Sequence, residues 1–319
     1  MVTNYRKGER KMNFAAEGLL ADCTDYSPAR LSEAARAQTI LQSTALLYDA
    51  EGCLHFCLGG IPAVMPHAEC ADGLADGSVR EIAVLSRVGR PACFVITAVR
   101  GGFAPSLVLS RARAQRRCRA EYLDRLRPGD IIPCTATRLE TFGVFCDVGC
   151  GISALLPINC LSVSRIASPA DRVQAGQQLR CAVRQRDERG RLVLTMKELL
   201  GSWEQNAALF EAGMTVVGTV RSVEEYGVFI ELTPNLAGLA EYSDGLAPGD
   251  AVSVYIKSVL PEKMKIKLVV LSRLPPAAAP APLHLFVREG HLDEWTYSCP
   301  GAQRTVRTVF AVPKKPRDG

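Results

Sequence analysis

Short apolar segments that alternate with polar residues recur along most of this chain. In residues 129–148, GDIIPCTATRLETFGVFCDV, a β-branched segment runs to a Phe-Gly pair and a second apolar segment follows. A small-residue turn and three further segments then complete the set; the segments are SALLPI, GQQLRCAVRQRD and GRLVLTM. Alternation with a period of two predicts strands, and five strands in roughly 70 residues leave no room for a crossover helix. The pattern therefore predicts an antiparallel sheet that curls into a small barrel.

The same pattern returns 84 residues later, because residues 129–148 align without a gap with residues 213–232, GMTVVGTVRSVEEYGVFIEL. The aligned glycine and aromatic positions are Gly143 and Gly227, Phe142 and Tyr226, and Phe145 and Phe229. Internal similarity of this kind indicates one structural unit used at least twice. We therefore predict an all-β protein made of tandem five-stranded barrels of the oligonucleotide-binding (OB) type, joined by short helices.

The remaining segments divide the chain further. An earlier pair of alternating runs, LLYDAEGCLHFCLGGIPAVMPHAE, predicts a degenerate first repeat that lacks the aromatic pair. The C-terminal extension carries short strand-like runs and is expected to fold back on the third repeat. The predicted organisation is an N-terminal tail with a short helix (1–38), a degenerate first OB-like repeat (39–110), a basic linker helix (111–127), the second OB repeat (128–197), a linker helix (198–212), the third OB repeat (213–273), and a Pro/Ala linker with a C-terminal extension (274–319).

Charge and composition narrow the class of protein. The 319 residues carry a net charge of +5, a mild basic bias that suits an anionic partner without requiring one. No stretch approaches 18 consecutive apolar residues, and the first residues lack the apolar core of a signal peptide, so we expect a cytoplasmic protein with no membrane partner.

The 12 cysteines do not have the spacing of a metal site. They are scattered without a CxxC pair, and Cys53 and Cys57 fall on a predicted strand, where residues four apart lie about 13 Å from each other. We therefore predict buried reduced thiols, no metal and no cofactor.

The two clear repeats resemble the S1 RNA-binding domain, first described in the largest protein of the bacterial small ribosomal subunit. The resemblance covers about residues 41–271. It rests on an opening glycine, an FGxF pair, a strand like GLxHxS and a closing D-x-x-x-R hairpin. The second repeat has Gly129, Phe142, Gly143, Phe145, ALLPIN, Asp187 and Arg191, and the third has Gly213, Tyr226, Gly227, Phe229, GLAEYS and MKIKLV. The sequence departs from the family at its histidine, which is Pro157 in one repeat and Glu241 in the other, and the third repeat lacks the aspartate. The order of repeats resembles a shortened, three-repeat relative of the kind found in clostridial bacteria.

The resemblance implies a surface for single-stranded RNA. Glycine between the rings would bend the strand so that both rings face outward, where bases stack on them and basic side chains follow the phosphates. The expected RNA-binding residues are Arg138, Phe142, Phe145, Asp187, Arg191, Tyr226, Phe229, Lys257, Lys263 and Lys265. The competing interpretations are that the rings belong to the barrel cores and that the cations are merely solvated. For the basic helix we favour a solvated linker over contact with phosphate or the ribosome.

The sequence therefore favours a monomeric, non-catalytic protein that binds single-stranded RNA or mRNA in translation, with the small ribosomal subunit as a partner. The alternative is a scaffold for the ribosome or the RNA-degradation machinery that binds RNA only weakly, with the first repeat as its docking unit. No catalytic motif for metal hydrolysis, nucleotide binding or a serine nucleophile is present. Three alternatives stay open at this point: whether the ligand is RNA or DNA, which RNA sequence is preferred, and whether the ribosomal role is stoichiometric or transient.

Overall fold

The structure is a computed structural model that describes residues 14–20, 25–101, 105–275, 283–302 and 305–310. The tail PKKPRDG, and all of the proline-rich segment except Pro275, lie outside these ranges. The chain divides into a first unit, residues 1–126 with 147–153, and a second unit, residues 127–146 with 154–319.

The first unit is built on a six-stranded sheet that follows helix α1 (Pro28–Ala37). The strands are β1 (Leu41–Thr44), β2 (Leu47–Tyr48), β3 (Leu54–Leu58), β4 (Ile61–Met65), β5 (Pro91–Arg100) and β6 (Ser106–Ser110). Their order is β1-β5-β6-β4-β3-β2, and all neighbours are antiparallel except β4 and β6. Alternate side chains of β3 point inward, and the ring of Phe56 lies 5.6 Å from that of Phe94 in the core.

The two edge strands of this sheet are consecutive parts of one segment. Only Ala45 and Leu46 separate β1 from β2, so the sheet curls until the same stretch of chain supplies both edges. The stretch breaks at Ala45, which pairs instead with the loop before β5: its N–H donates to the carbonyl of Arg90, and its carbonyl accepts from Gly89. Residues 39–110, predicted to be a degenerate OB-like repeat, thus form a curled, six-stranded sheet.

The basic helix packs more closely than a solvated linker would. A short helix, α2 (Ile82–Leu85), precedes it, and the basic helix itself, α3 (Arg111–Glu121), is followed by a 3₁₀ turn at Leu123–Arg125. One face of α3 is exposed, as expected, and carries Arg113, Arg116 and Arg119. The opposite face is buried and carries Arg111, Ala114, Gln115 and Cys118. The solvated interpretation therefore holds for only half of the helix.

Glu17 neutralises the buried arginine of α3. Its side chain is only 3% exposed, and it forms ion pairs with Arg111 Nε at 2.6 Å and with Arg87 Nη1 at 2.7 Å. Burial opposes ionisation of Glu17, but the two arginines outweigh it and lower the pKa of this carboxyl. Asp147 accepts the Glu17 backbone N–H at 2.8 Å; burial, followed by the charge of Glu17, raises the pKa of Asp147 to about 6.

Apart from Asp147 and Ser153, the strands of the two predicted barrels belong to the second unit, and both barrels are closed. The second barrel consists of β7 (Ile131–Glu140), β8 (Gly143–Asp147), β9 (Ser153–Pro157), β10 (Gln178–Arg186) and β11 (Leu192–Thr195). The third barrel consists of β12 (Thr215–Glu224), β13 (Gly227–Thr233), β14 (Leu236–Ala240), β15 (Ala251–Leu260) and β16 (Lys265–Leu274). The predicted OB-type architecture is therefore confirmed for both repeats.

Each barrel closes through one parallel pair, which the prediction of an antiparallel sheet did not include. The parallel pairs are β9 with β11 and β14 with β16. The reason is geometric: five strands around a closed ring cannot alternate in direction at every step, so at least one pair must be parallel.

The linker helix predicted for residues 198–212 consists of two shorter pieces. A 3₁₀ turn at Lys197–Leu200 and helix α4 (Trp203–Ala207) are separated by Gly201, whose φ of +83° ends the first piece. Ser202 begins α4 in a reciprocal capping arrangement with Gln205. In the described ranges, no helix is long and apolar enough to cross a membrane.

An ion network joins the second barrel to the third. Arg172, whose side chain is 3% exposed, donates to Ser162 Oγ at 3.0 Å and forms an ion pair with Glu231 of β13. Glu231 also accepts two hydrogen bonds from Arg221 of β12, at 2.9 and 3.0 Å, and Arg221 lies 3.7 Å from Asp171. Burial lowers the pKa of Arg172, although Glu231 opposes that shift. The barrels are thus held together by charges that face each other away from water.

The C-terminal extension packs on both barrels. Its strands β17 (Glu294–Thr296) and β18 (Arg307–Val309) form a small antiparallel sheet. Trp295 and Tyr297 join the core of the third barrel, which confirms the expectation that the extension folds back on it. Phe310 packs with Leu199 and Ala182 beside the second barrel, a contact that the sequence did not predict.

Candidate nucleic-acid interface

The aromatic pair of the second barrel lies where β7 turns into β8. Phe142 is in the turn and 53% exposed, and Phe145 is half-buried on β8. Their ring centroids are 6.0 Å apart and the planes meet at 88°, edge to face. The predicted outward placement is therefore confirmed for Phe142 and partly for Phe145. Because the two planes are nearly perpendicular, the rings do not form one continuous flat surface.

Gly143 allows the turn to lie against the neighbouring strand. A Cβ atom at this position would lie 2.5 Å from the carbonyl oxygen of Leu156 and 2.9 Å from Cα of Pro157, both of them backbone atoms that cannot easily move. The backbone of Ile158 donates to the carbonyl of Phe142 at 2.9 Å and holds the turn in place. Glycine is thus required here because a strand passes close by.

Arg138 covers the second ring of this pair. Its guanidinium carbon lies 4.9 Å from the centroid of Phe145, a cation–π contact, and its Nε lies 2.9 Å from Glu140. The Thr137 hydroxyl donates to the carbonyl of Phe145 at 2.9 Å and fixes the register beside it. Arg138, which the sequence proposed as a phosphate contact, therefore also shapes the aromatic surface itself.

Asp187 and Arg191 lie in the hairpin between β10 and β11. Asp187 accepts the backbone N–H of Arg189 at 3.0 Å and that of Arg191 at 2.8 Å, and Arg191 Nε lies 2.7 Å from its other oxygen. Desolvation opposes ionisation of Asp187, but these hydrogen bonds lower its pKa. The carboxylate thus holds the turn in place. The exposed arginines around it, Arg184, Arg186, Arg189 and Arg191, form the basic part of this hairpin.

The third barrel repeats the aromatic geometry. Tyr226 is 70% exposed and Phe229 half-buried, with ring centroids 6.2 Å apart and planes at 87°. The carbonyl oxygen of Ala240 occupies the space that a Cβ of Gly227 would need. Two sequences that share only part of their residues therefore build the same pair of rings.

The predicted lysines of the third barrel lie on one hairpin and its turn. Lys257 is on β15, Lys263 is in the 3₁₀ turn Pro261–Lys263, and Lys265 begins β16 opposite Leu260. All three are exposed. Lys267 was not among the predicted residues. It pairs in register with Leu239, which in turn pairs with Phe229. The alternation in MKIKLV places Lys265 and Lys267 on the same face, so the sequence contained a signal for Lys267 as well.

The two barrels differ in charge. Residues 128–197 contain nine basic and six acidic side chains, whereas residues 213–273 contain six basic and seven acidic ones. An anionic ligand is therefore favoured at the second barrel and not at the third.

The cysteines within the described ranges form no recognised metal site. The described ranges contain no group of three or more His, Cys, Asp or Glu side chains able to hold a metal ion. Nine of the 11 cysteines in those ranges are buried, in agreement with the predicted burial, and all 11 are free thiols in the structure.

Comparison with known proteins gives one family and several distant relatives. Residues 125–197 match the S1 RNA binding domain family. The chain is 31% identical over 162 residues to small ribosomal subunit protein bS1 of Leuconostoc lactis, across 47% of this chain and 38% of that protein. It is 32% identical over 168 residues to the bS1 of Staphylococcus saprophyticus, across 49% of this chain and 42% of that protein. The chain thus matches about two fifths of the length of these relatives.

Among solved structures, a multidomain protein with nucleic acid binding domains from Streptococcus pneumoniae is similar over 74% of each chain. The two chains are 11% identical, and the TM-score is 0.25.

Proposed function

We propose that this chain is a non-catalytic protein that binds single-stranded RNA, with the second barrel as its principal site. The observation that carries the proposal is the exposed ring of Phe142 beside Phe145 and Arg138, on the repeat that matches the S1 RNA binding domain. An unpaired base would stack on Phe142. Arg138 and the hairpin arginines that include Arg191 would follow the phosphates.

The structural surroundings support different roles for the other proposed residues. Asp187 contributes by holding Arg191 in its turn. Lys257, Lys263 and Lys265 would extend a basic path on the third barrel. Base stacking at Tyr226 and Phe229 is less favoured than at the second barrel, because their repeat carries more acidic than basic residues.

A substitution in the exposed turn tests the proposal. A stacked base contributes about 1–3 kcal/mol, so Phe142→Ala should weaken binding of a fluorescein-labelled oligouridylate of about 12 nucleotides by roughly 5- to 150-fold in fluorescence anisotropy. Tyr255→Ala, which removes an exposed ring elsewhere, on β15, is the matched control and should change the affinity less than twofold. Equal affinities of wild type and Phe142→Ala would refute the assignment. A deoxyuridylate of the same length compares DNA with RNA.

We further propose that the protein acts in translation in the cytoplasm, as a monomer that holds mRNA near the small ribosomal subunit, and that it is a shortened, three-repeat relative of bS1. The support is the similarity to bS1 over about half of the chain. Sucrose-gradient sedimentation of cell lysates tests it: the protein should travel with small subunits, and its absence from every ribosomal fraction would contradict the proposal.

A second candidate, a docking scaffold, is favoured by the exposed apolar side chains of the first repeat. Leu46, Leu47, Ile82, Leu85 and Val88 are all exposed, and this repeat lacks the Phe-Gly-x-Phe pair of the second. Under this alternative, Ile82→Ser would abolish cosedimentation with ribosomes and Phe142→Ala would not. The reverse pattern would assign the association to RNA.

A further inference from the structure

The aromatic edge of the third barrel, Tyr226 and Phe229 with Tyr242, contains one more exposed ring than the sequence indicated. Val228 of β13 pairs with Ala240 of β14 in antiparallel register. Tyr226 precedes Val228 by two residues and Tyr242 follows Ala240 by two, so both lie at the same end of this strand pair. Tyr242 is 54% exposed, and its hydroxyl donates to Asp244 at 2.9 Å.

The second barrel shows what covers the equivalent edge there. Its own Arg138 lies over Phe145, in the position that corresponds to Ser222 in the third barrel. Ser222 is directly opposite Phe229 in the sheet register, so the third barrel has the ring and lacks the guanidinium that covers it in the other copy. The ring pairs have nearly the same geometry, 6.0 Å and 88° against 6.2 Å and 87°, so a guanidinium beside Phe229 would meet the ring arrangement that Arg138 meets at Phe145.

The basic residues closest in sequence or register do not replace Arg138. The side chain of Arg221 is only 14% exposed and is held by Glu231 and Asp171. Lys267 lies across β14 from Phe229, two strand spacings or about 10 Å away.

The charges beside this edge also differ between the barrels. Glu224, Glu225 and Glu241 are exposed, and none of them has a salt bridge to another described residue. The corresponding residues in the second barrel are Glu140, which is paired with Arg138, and the uncharged Thr141 and Pro157. These carboxylates would repel phosphates and attract a guanidinium at distances within the Debye length of about 8 Å.

We infer that the third-barrel aromatic edge binds an arginine side chain from a basic protein segment. The incoming guanidinium stacks on Phe229 as Arg138 stacks on Phe145 and makes a second cation–π contact with the exposed ring of Tyr226. Tyr242 lies beside it, and the carboxylates accept its hydrogen bonds. Arginine fits better than lysine because its planar group both stacks on rings and pairs with carboxylates. The third barrel is then a protein-binding module in tandem with an RNA-binding one.

The first experiment uses the full chain and a fluorescein-labelled peptide of alternating arginine and glycine, with a citrulline counterpart as the uncharged probe. We expect binding of the arginine peptide only. Tyr226→Ala should weaken it about two- to fivefold, the range for loss of one exposed cation–π contact. The matched variant Phe142→Ala, at the equivalent position of the second barrel, should leave peptide affinity unchanged.

A second variant supplies the missing guanidinium from the chain itself. Ser222→Arg should cover Phe229 as Arg138 covers Phe145 and reduce peptide affinity at least as strongly as Tyr226→Ala, whereas Ser222→Ala should not. The inference is overturned if the arginine peptide does not bind the wild type, or if Tyr226→Ala and Ser222→Arg leave its affinity unchanged. It is also overturned if Tyr226→Ala weakens oligouridylate as much as Phe142→Ala does, because the edge would then stack bases. A loss of RNA affinity confined to Phe142→Ala leaves the inference standing.

Discussion

Glu231 is the residue whose loss should destabilise the junction of the two barrels most. Among the residues that the structure describes, it is the only carboxylate in an ion pair with the buried Arg172, and it also accepts both hydrogen bonds from Arg221. Glu231→Gln keeps the size of the side chain and removes its charge. Two guanidinium groups, one of them almost completely out of water, would then face a neutral amide.

The magnitude follows from burial. Removing one partner of a buried ion pair typically costs about 3–5 kcal/mol, because the remaining charge stays desolvated without compensation. Asp171, at 3.7 Å from Arg221, continues to neutralise part of the charge, so we expect the lower end, about 3 kcal/mol. With a urea dependence of about 1–3 kcal/mol per molar, the unfolding midpoint should fall by about 1 M or more.

The assay is urea unfolding followed by tryptophan fluorescence. Trp203 and Trp295 are the chain's two tryptophans, and both are buried in the core of the third barrel, so the signal reports on the second unit. Glu224→Gln, an exposed carboxylate on the neighbouring strand β12, is the matched control and should change stability by less than about 0.5 kcal/mol. If Glu231→Gln and Glu224→Gln unfold at the same urea concentration, the network does not stabilise this unit and the reasoning is wrong.

Three further outcomes test other parts of the structure. Glu17→Gln should leave Arg111 buried without its strongest partner and destabilise the first unit by about 3–5 kcal/mol, seen as faster hydrogen exchange in β5; unchanged exchange would contradict the ion pair. Gly143→Ala should destabilise the second barrel by more than about 1 kcal/mol in thermal unfolding and weaken RNA binding, since its Cβ meets the carbonyl of Leu156. Asp147 has a folded pKa of about 6 against an ordinary 3.8, so the folded state holds more protons and Asp147 makes the first unit less stable as pH rises from about 4 to 6. Asp147→Asn should therefore abolish this dependence of first-unit stability on pH, measured by hydrogen exchange, even if the substitution also changes stability by a constant amount. If the variant and the wild type depend on pH in the same way, another group titrates.

The periodicity of the sequence was sufficient for the architecture of the two barrels. Alternation with a period of two marks which residues of a strand face the core, and a glycine between two aromatic residues marks a tight turn; both signals are local. The repeat at a spacing of 84 residues showed that the ring pairs are equivalent, and the structure has them in nearly the same geometry. The outward position of Phe142 and Tyr226 could thus be predicted from a few neighbouring residues.

The tertiary structure alone decided which distant residues meet. Arg111 and Glu17 are 94 positions apart, and Arg172 and Glu231 are 59 apart, so no local pattern pairs them. The break of the first repeat at Ala45 likewise depends on the loop that reaches it from Arg90. Burial of a charge depends on which elements pack over it, and packing is fixed only when the whole chain has folded.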